Sequence, residues 1–197
     1  MLGIKRAIVG GLIVTAIGFL ASIGAAGEAG APMVMAGTRR TLTISKPGSY
    51  YLPSNLVSAL TSAPVVLVTV SNVVLDLNGN SIIGPGGTGV SAGIETNPDV
   101  SNVTVENGTI SRIAGAALNL GPNSEVSGVH IVNNNGDGVD CASGCLVTGN
   151  IIANNGGTGL VFPDNSSGYQ NNVLNGNNAG ISGGTSLGHN LVNGSPD

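Results

Sequence analysis

In the second half of the chain, aliphatic residues recur every 21 positions. Val105 leads to Val126 and Val147; Ile110 leads to Ile131, Ile152 and Val173; Leu118 leads to Val139, Leu160 and Ile181. Two further columns keep the same step: Ala117, Gly138, Gly159 and Gly180, and Arg112, Asn133, Asn154 and Asn175. A fixed period of this length marks a chain of stacked units, none of which can bury its apolar face alone. Within a unit the apolar residues form short β-branched patches, which suit short strands. The Gly and Asn between them tolerate the left-handed backbone of tight turns. A helical reading fails, because no 3.6-residue period persists after residue 40 and so much Gly and Asn is costly in helices. Stacking predicts that Ile110, Ile131, Ile152 and Val173 share one inward column, in coils about 4.8 Å apart. It also predicts that Asn133, Asn154 and Asn175 stack as an amide ladder, each side chain bonding to the coils above and below.

Three stretches carry a resemblance. VVLDLNGNSIIGPGGTGV (73–90), NVTVENGTI (102–110) and the recurring Asn-Gly pattern of NNNGDGV, NNGGTGL and NNAGI resemble the right-handed parallel β-helix family, the pectin lyase-like superfamily that includes pectate lyases and polygalacturonases. The resemblance covers residues 41–194. It implies an all-β fold, a right-handed parallel β-helix of about six short coils. The approach is through ISKPGSYYLPSNL (44–56), with residues 41–64 as a cover over the N-terminal end and no evident cap at NGSPD. It implies little about activity, since the fold carries many functions.

Ahead of this domain lies a different kind of segment. Lys5 and Arg6 precede an uncharged apolar run, residues 7–26, followed by Ala25, Ala26, Gly27 and Ala29. That order predicts a helical secretory signal over residues 1–30 with cleavage near Ala26. An uncleaved anchor is the alternative, in which the chain meets a membrane only through residues 7–26. Residues 31–40 read as a linker and 41–194 as the β-helix domain. The expected location is secreted, periplasmic or cell surface. Export permits a disulfide between Cys141 and Cys145, provided the chain turns at Ser143–Gly144. A metal site there lacks partners, because neither His is close in sequence.

Charge narrows the function. With 6 Lys+Arg against 10 Asp+Glu and no Trp, the chain has neither the basic footprint nor the stacking surface of a nucleic-acid binder. The stretch NNNGDGVDCASGC holds the catalytic candidates, Asp137 and Asp140. Gly136-Asp137-Gly138 looks like part of the aspartate motif of polygalacturonases, where carboxyls several Å apart flank the glycosidic bond. The rest of that set is missing: Gly157-Thr158 stands where an Asp pair belongs, and no Lys or Arg follows Arg112. The period places Asp137 in a turn and Asp140 on the outer face, both exposed. A calcium site also finds no support, because Asp76, Glu95, Asp99, Glu106, Glu125, Asp137, Asp140 and Asp164 do not fall into one register of the period. No cofactor is expected. His130, with Ile151 and Asn172 as expected column neighbours, and the Asn133, Asn154 and Asn175 face are the ligand-binding candidates. The Asn-x-Ser/Thr patterns at 102, 107, 165 and 193 read as turn chemistry. The reading is an exported, non-catalytic β-helix repeat protein that contacts polysaccharide. The alternative is a carbohydrate-active enzyme, a lyase, hydrolase or epimerase acting on uronic-acid polymers.

Overall fold

The structure, a computed structural model, describes residues 31–32, 39–87, 89 and 91–197. The signal segment expected over residues 1–30 lies outside the described residues. Everything regular in the described chain is strand. Seven strands, Leu42–Ile44, Val66–Val68, Ala92–Thr96, Ala116–Leu120, Val139–Cys141, Thr158–Val161 and Ala179–Ser182, form one sheet in chain order, each parallel to the next. A fourteen-stranded sheet supplies the remaining walls. It bends along Val103–Ser111 and Glu125–Val132, strands long enough to span both of its halves. The chain therefore winds as a parallel β-helix of seven coils, where about six were expected. The difference is residues 41–64, which form a first coil paired strand for strand with the second and are not a cover over it.

The 21-residue columns hold where predicted. Val105, Val126 and Val147 pair in register, as do Ile110, Ile131 and Ile152, and all six side chains are fully buried. Leu118, Val139, Leu160 and Ile181 form a third column. Each fully buried side chain of this size contributes about 1.5–3 kcal/mol. One prediction fails: Ile152 pairs with Leu174, and Val173 points outward, 39% exposed. The coil gains a residue in the turn between Val161 and Gly168, which moves the next strand by one. It loses one between Asn175 and Ala179, so the Leu160–Ile181 register returns to 21. A one-residue shift in a strand exchanges its inner and outer faces.

The Asn ladder exists, but in other residues. Asn133 and Asn154 are exposed, with φ of 58° and 55°. They occupy the left-handed turn position that also takes Arg112 (φ 59°) and Gly176 (φ 66°). Asn175 is exposed too and falls outside this column. The turn aims that column outward and the next residue inward. Asn134, Asn155 and Asn177 therefore form the ladder. The Ile113 N–H donates to Asn134 Oδ1 (2.9 Å), and the Asn134 N–H and Nδ2 donate to Asn155 Oδ1 (3.1 and 2.9 Å). The Asn155 N–H and Nδ2 donate in turn to Asn177 Oδ1 (3.0 and 2.9 Å). Each Nδ2 also reaches a carbonyl, of Ile110, Ile131 or Ile152. A second ladder, Asn150, Asn172 and Asn190, repeats the pattern at another corner. Among the described residues no buried side-chain nitrogen or oxygen lacks a partner, as buried polar groups require.

The C-terminal end carries a partial cap, where none was expected. Leu191–Val192 turns at Asn193–Gly194, both with positive φ, and pairs antiparallel with Ser195–Pro196. Asn-Gly suits this two-residue hairpin because both positions require the left-handed region. The hairpin covers Leu191–Val192, while Thr185–Ser186 in the larger sheet and Ala179–Ser182 in the smaller one remain terminal strands.

Candidate functional site

Strand alternation decides which side chains reach solvent. On the seven-stranded sheet, Leu67, Glu95, Asn119, Asp140, Val161 and Ser182 form one outward column. Glu95 and Asp140 are thus two strands apart with Asn119 between them, a separation of about 9.6 Å from the strand spacing. Beside them Glu95, Asn97, Pro98, Asn119 and Pro122 line a shallow hollow of about 250 Å³.

The two sequence candidates differ in their situation. The Thr158 N–H donates to Asp137 Oδ1 at 2.6 Å, so this carboxylate holds the turn of the coil below. Asp137 and Asp140 are both half-buried, not exposed as expected. Burial raises the Asp140 carboxyl above the ordinary range, and the negative charge of Asp137 adds to the rise. A group with a raised folded pKa favours folding below its ordinary value and loses that contribution as pH rises through the folded value. Asp140→Asn is therefore expected to raise the melting temperature at pH 7. The gain should vanish as pH falls below the ordinary value of 3.8. A gain that stays constant across a thermal-melt series from pH 3 to pH 8 would show that carboxylate charge is not its source.

His130 is exposed, between Thr109 and Ile151 on the larger sheet. Its next neighbour down is Val173, not Asn172, because of the one-residue shift; Asn172 is a buried ladder residue. The outward Ile151, Val173 and Leu191 continue this column as an apolar strip. Asn133, Asn154 and Asn175 stand on turns and strand ends around it rather than forming a recess with it. Cys141 and Cys145 are joined by a disulfide, with Cα atoms 6.4 Å apart across a turn in which Gly144 has φ 76°. Both cysteines are buried.

The largest departure from the sequence reading is at the N-terminal coils. The acids were expected to share no register. Tyr51, Asp76 and Glu106 in fact stand directly opposite one another on three adjacent strands. Glu125 pairs with Thr104, two residues before Glu106, and so lies one diagonal step away on the same face. The 21-residue step misses this because the upper coils are longer: Asp76 to Glu106 is 30 residues, although the two are partners. A signal was present, since each acid shortly precedes an Asn-Gly pair, in Leu-Asp-Leu-Asn-Gly and in Val-Glu-Asn-Gly. Ser49, Tyr51, Val74, Asp76, Asn78 and Glu106 line a cavity of about 570 Å³. Asp76 accepts the Asn78 N–H at 2.7 Å through one oxygen, which fixes the carboxylate at the rim of the turn. Tyr50, next in the chain, points inward and donates its hydroxyl to the Lys46 carbonyl at 2.7 Å, which holds the strand start in place. Among the described residues no group of three or more His, Cys, Asp or Glu is arranged to hold a metal ion.

A cavity of this size with an aromatic ring beside two carboxylates and an amide can hold a small polar ligand or one unit of a polymer. Comparison with known proteins adds the fold but no ligand. No match was found among curated proteins or among solved structures. A family model described as "right handed beta helix region" matches residues 55–195, well over half of the chain. Seven stacked parallel coils and this match lead to one statement of kinship: the chain belongs to the right-handed β-helix family.

Proposed function

We propose that this chain is an exported, non-catalytic β-helix protein that holds a polysaccharide against the outer face of its larger sheet. The observation that carries the reading is the cavity in which Tyr51 stands in register with Asp76 and Glu106. An aromatic ring covers the apolar C–H face of a sugar, and carboxylate and amide oxygens accept its hydroxyls. Export rests on the N-terminal sequence, with its basic start and apolar run. The non-catalytic part rests on the sequence: Gly157-Thr158 stands where the polygalacturonase Asp pair belongs, and no Lys or Arg follows Arg112. Titration of a glycan panel by calorimetry tests the reading. One glycan is expected to bind without turnover, and Tyr51→Ala to weaken it about tenfold, the loss of a stacked ring. Failure of every glycan to bind ends this proposal.

A second reading has one specific observation in its favour. Glu95 and Asp140 share an outward column, about 9.6 Å apart by strand spacing. Inverting glycosidases hold their carboxyls about 6.5–9.5 Å apart, a range that side chains on strands with this spacing can reach. Asp140, with its raised pKa, would be the acid and Glu95 the base. Hydrolysis that disappears in Asp140→Asn and survives in Tyr51→Ala would favour this enzyme reading over the binding one.

A further inference from the structure

Resting on the polysaccharide reading, we infer that the Tyr51 cavity selects a cationic glycan, a polymer of amino sugars with free ammonium groups. The cavity at Ser49, Tyr51, Val74, Asp76, Asn78 and Glu106 has about 570 Å³ of space, enough for a sugar unit. Its wall brings three features together: a ring, two carboxylates on neighbouring strands, and an amide at the rim. In-register pairing sets the two strands about 4.8 Å apart, so both carboxylates fall within reach of a single sugar unit. Like charges directly opposite each other in a sheet oppose folding, so the pair is poised to gain from a cation placed between them.

Among the described residues, no Lys or Arg lines the cavity. The Arg112 guanidinium donates to the Pro85 carbonyl at 3.2 Å, on another corner. Glu125 adds a third negative group one step along the same face, and the formal net charge of the chain is -4. A uronic-acid polymer would bring its own carboxylates against these. An ammonium on the sugar would instead form charge-assisted hydrogen bonds with Asp76 and Glu106 while its ring lies against Tyr51.

The test uses the folded chain and three oligomers: a glucosamine hexamer at pH 5.5, its N-acetylated neutral counterpart, and an oligogalacturonate. The cationic oligomer is expected to bind at least about tenfold more tightly than the neutral one. Raising the salt should narrow the gap, as screening requires. Asp76→Asn with Glu106→Gln should bring the cationic oligomer down to the neutral level and leave the thermal melt cooperative. Tyr51→Ala should weaken both. Equal affinity for the neutral and cationic oligomers, or tighter binding of oligogalacturonate, overturns the charge inference and leaves the polysaccharide reading standing. Undiminished cationic binding in the double variant also overturns it, because the attraction then comes from the whole acidic chain. Absence of binding to all three oligomers refutes the inference; absence across the wider glycan panel refutes the reading beneath it.

Discussion

Asn155→Ala lowers the stability of the folded chain by about 3–5 kcal/mol, the cost of leaving several buried polar groups unpaired. Asn155 is buried and serves three neighbours at once. Its Oδ1 accepts both the backbone N–H and the Nδ2 of Asn134, and its Nδ2 reaches Asn177 Oδ1 and the Ile131 carbonyl. Alanine removes all of these and admits no replacement, since the site lies between coils. The loss is a large part of the stability of a typical domain, about 5–15 kcal/mol. It also falls on a coil-to-coil interface, the element from which a solenoid draws its cohesion. Asn154→Gly is the control. Asn154 is adjacent in the chain, exposed and left-handed (φ 55°), so glycine there is near neutral. Urea denaturation followed by circular dichroism measures both. A cost for Asn155→Ala no larger than that of Asn154→Gly means the ladder does not hold the coils together.

Gly121→Ala is expected to cost about 3 kcal/mol or more, through backbone overlap rather than a lost bond. A methyl on Gly121 would run into the Val100 carbonyl oxygen and crowd Thr96 Oγ1 at 3.3 Å. The obstacle is main chain, in a turn braced by the Val100 N–H bond to the Asn97 carbonyl (3.0 Å). Side-chain rotation cannot relieve it. The glycine carbonyl also sits 3.9 and 3.7 Å from the sulfurs of Cys141 and Cys145. Any shift of the turn therefore presses on the disulfide of the next coil. Gly149→Ala separates this from conformational strain: Gly149 has φ 68° and no atom within 4 Å of an added methyl. Its cost is the left-handed penalty alone, about 1 kcal/mol. Thermal melts of the two variants should differ clearly, with Gly121→Ala lower. Similar melting temperatures would mean that the turn at Val100 yields.

Most of the architecture was legible in the sequence. From Val105 to Leu160, each coil has the same length, so a fixed step in sequence is a fixed place in space. Columns such as Leu118, Val139 and Leu160 follow directly. The errors cluster where length varies. The extra residue between Val161 and Gly168 put Leu174 inside in place of Val173. The column of Asn133 and Asn154 was a true column with the wrong role, because a left-handed turn aims one residue out and its successor in. Asparagine suits both places, the first for its tolerance of positive φ and the second for its three hydrogen-bonding groups. Composition alone does not separate them.

The candidate site was less legible. Asp140 was rightly placed in an outward column, but its partial burial was not foreseen. The Tyr51, Asp76 and Glu106 alignment was missed, since its members are separated by 25 and 30 residues. The repeating spacing of small, β-branched and turn-forming residues was enough to determine that the chain winds into stacked strands, because that choice depends on local propensity and on burying one apolar stripe per coil. Which outward side chains become neighbours was decided only by the closed coils. Loops of different length bring different parts of the chain round to the same wall, and strand pairing, not distance along the sequence, sets who stands opposite whom.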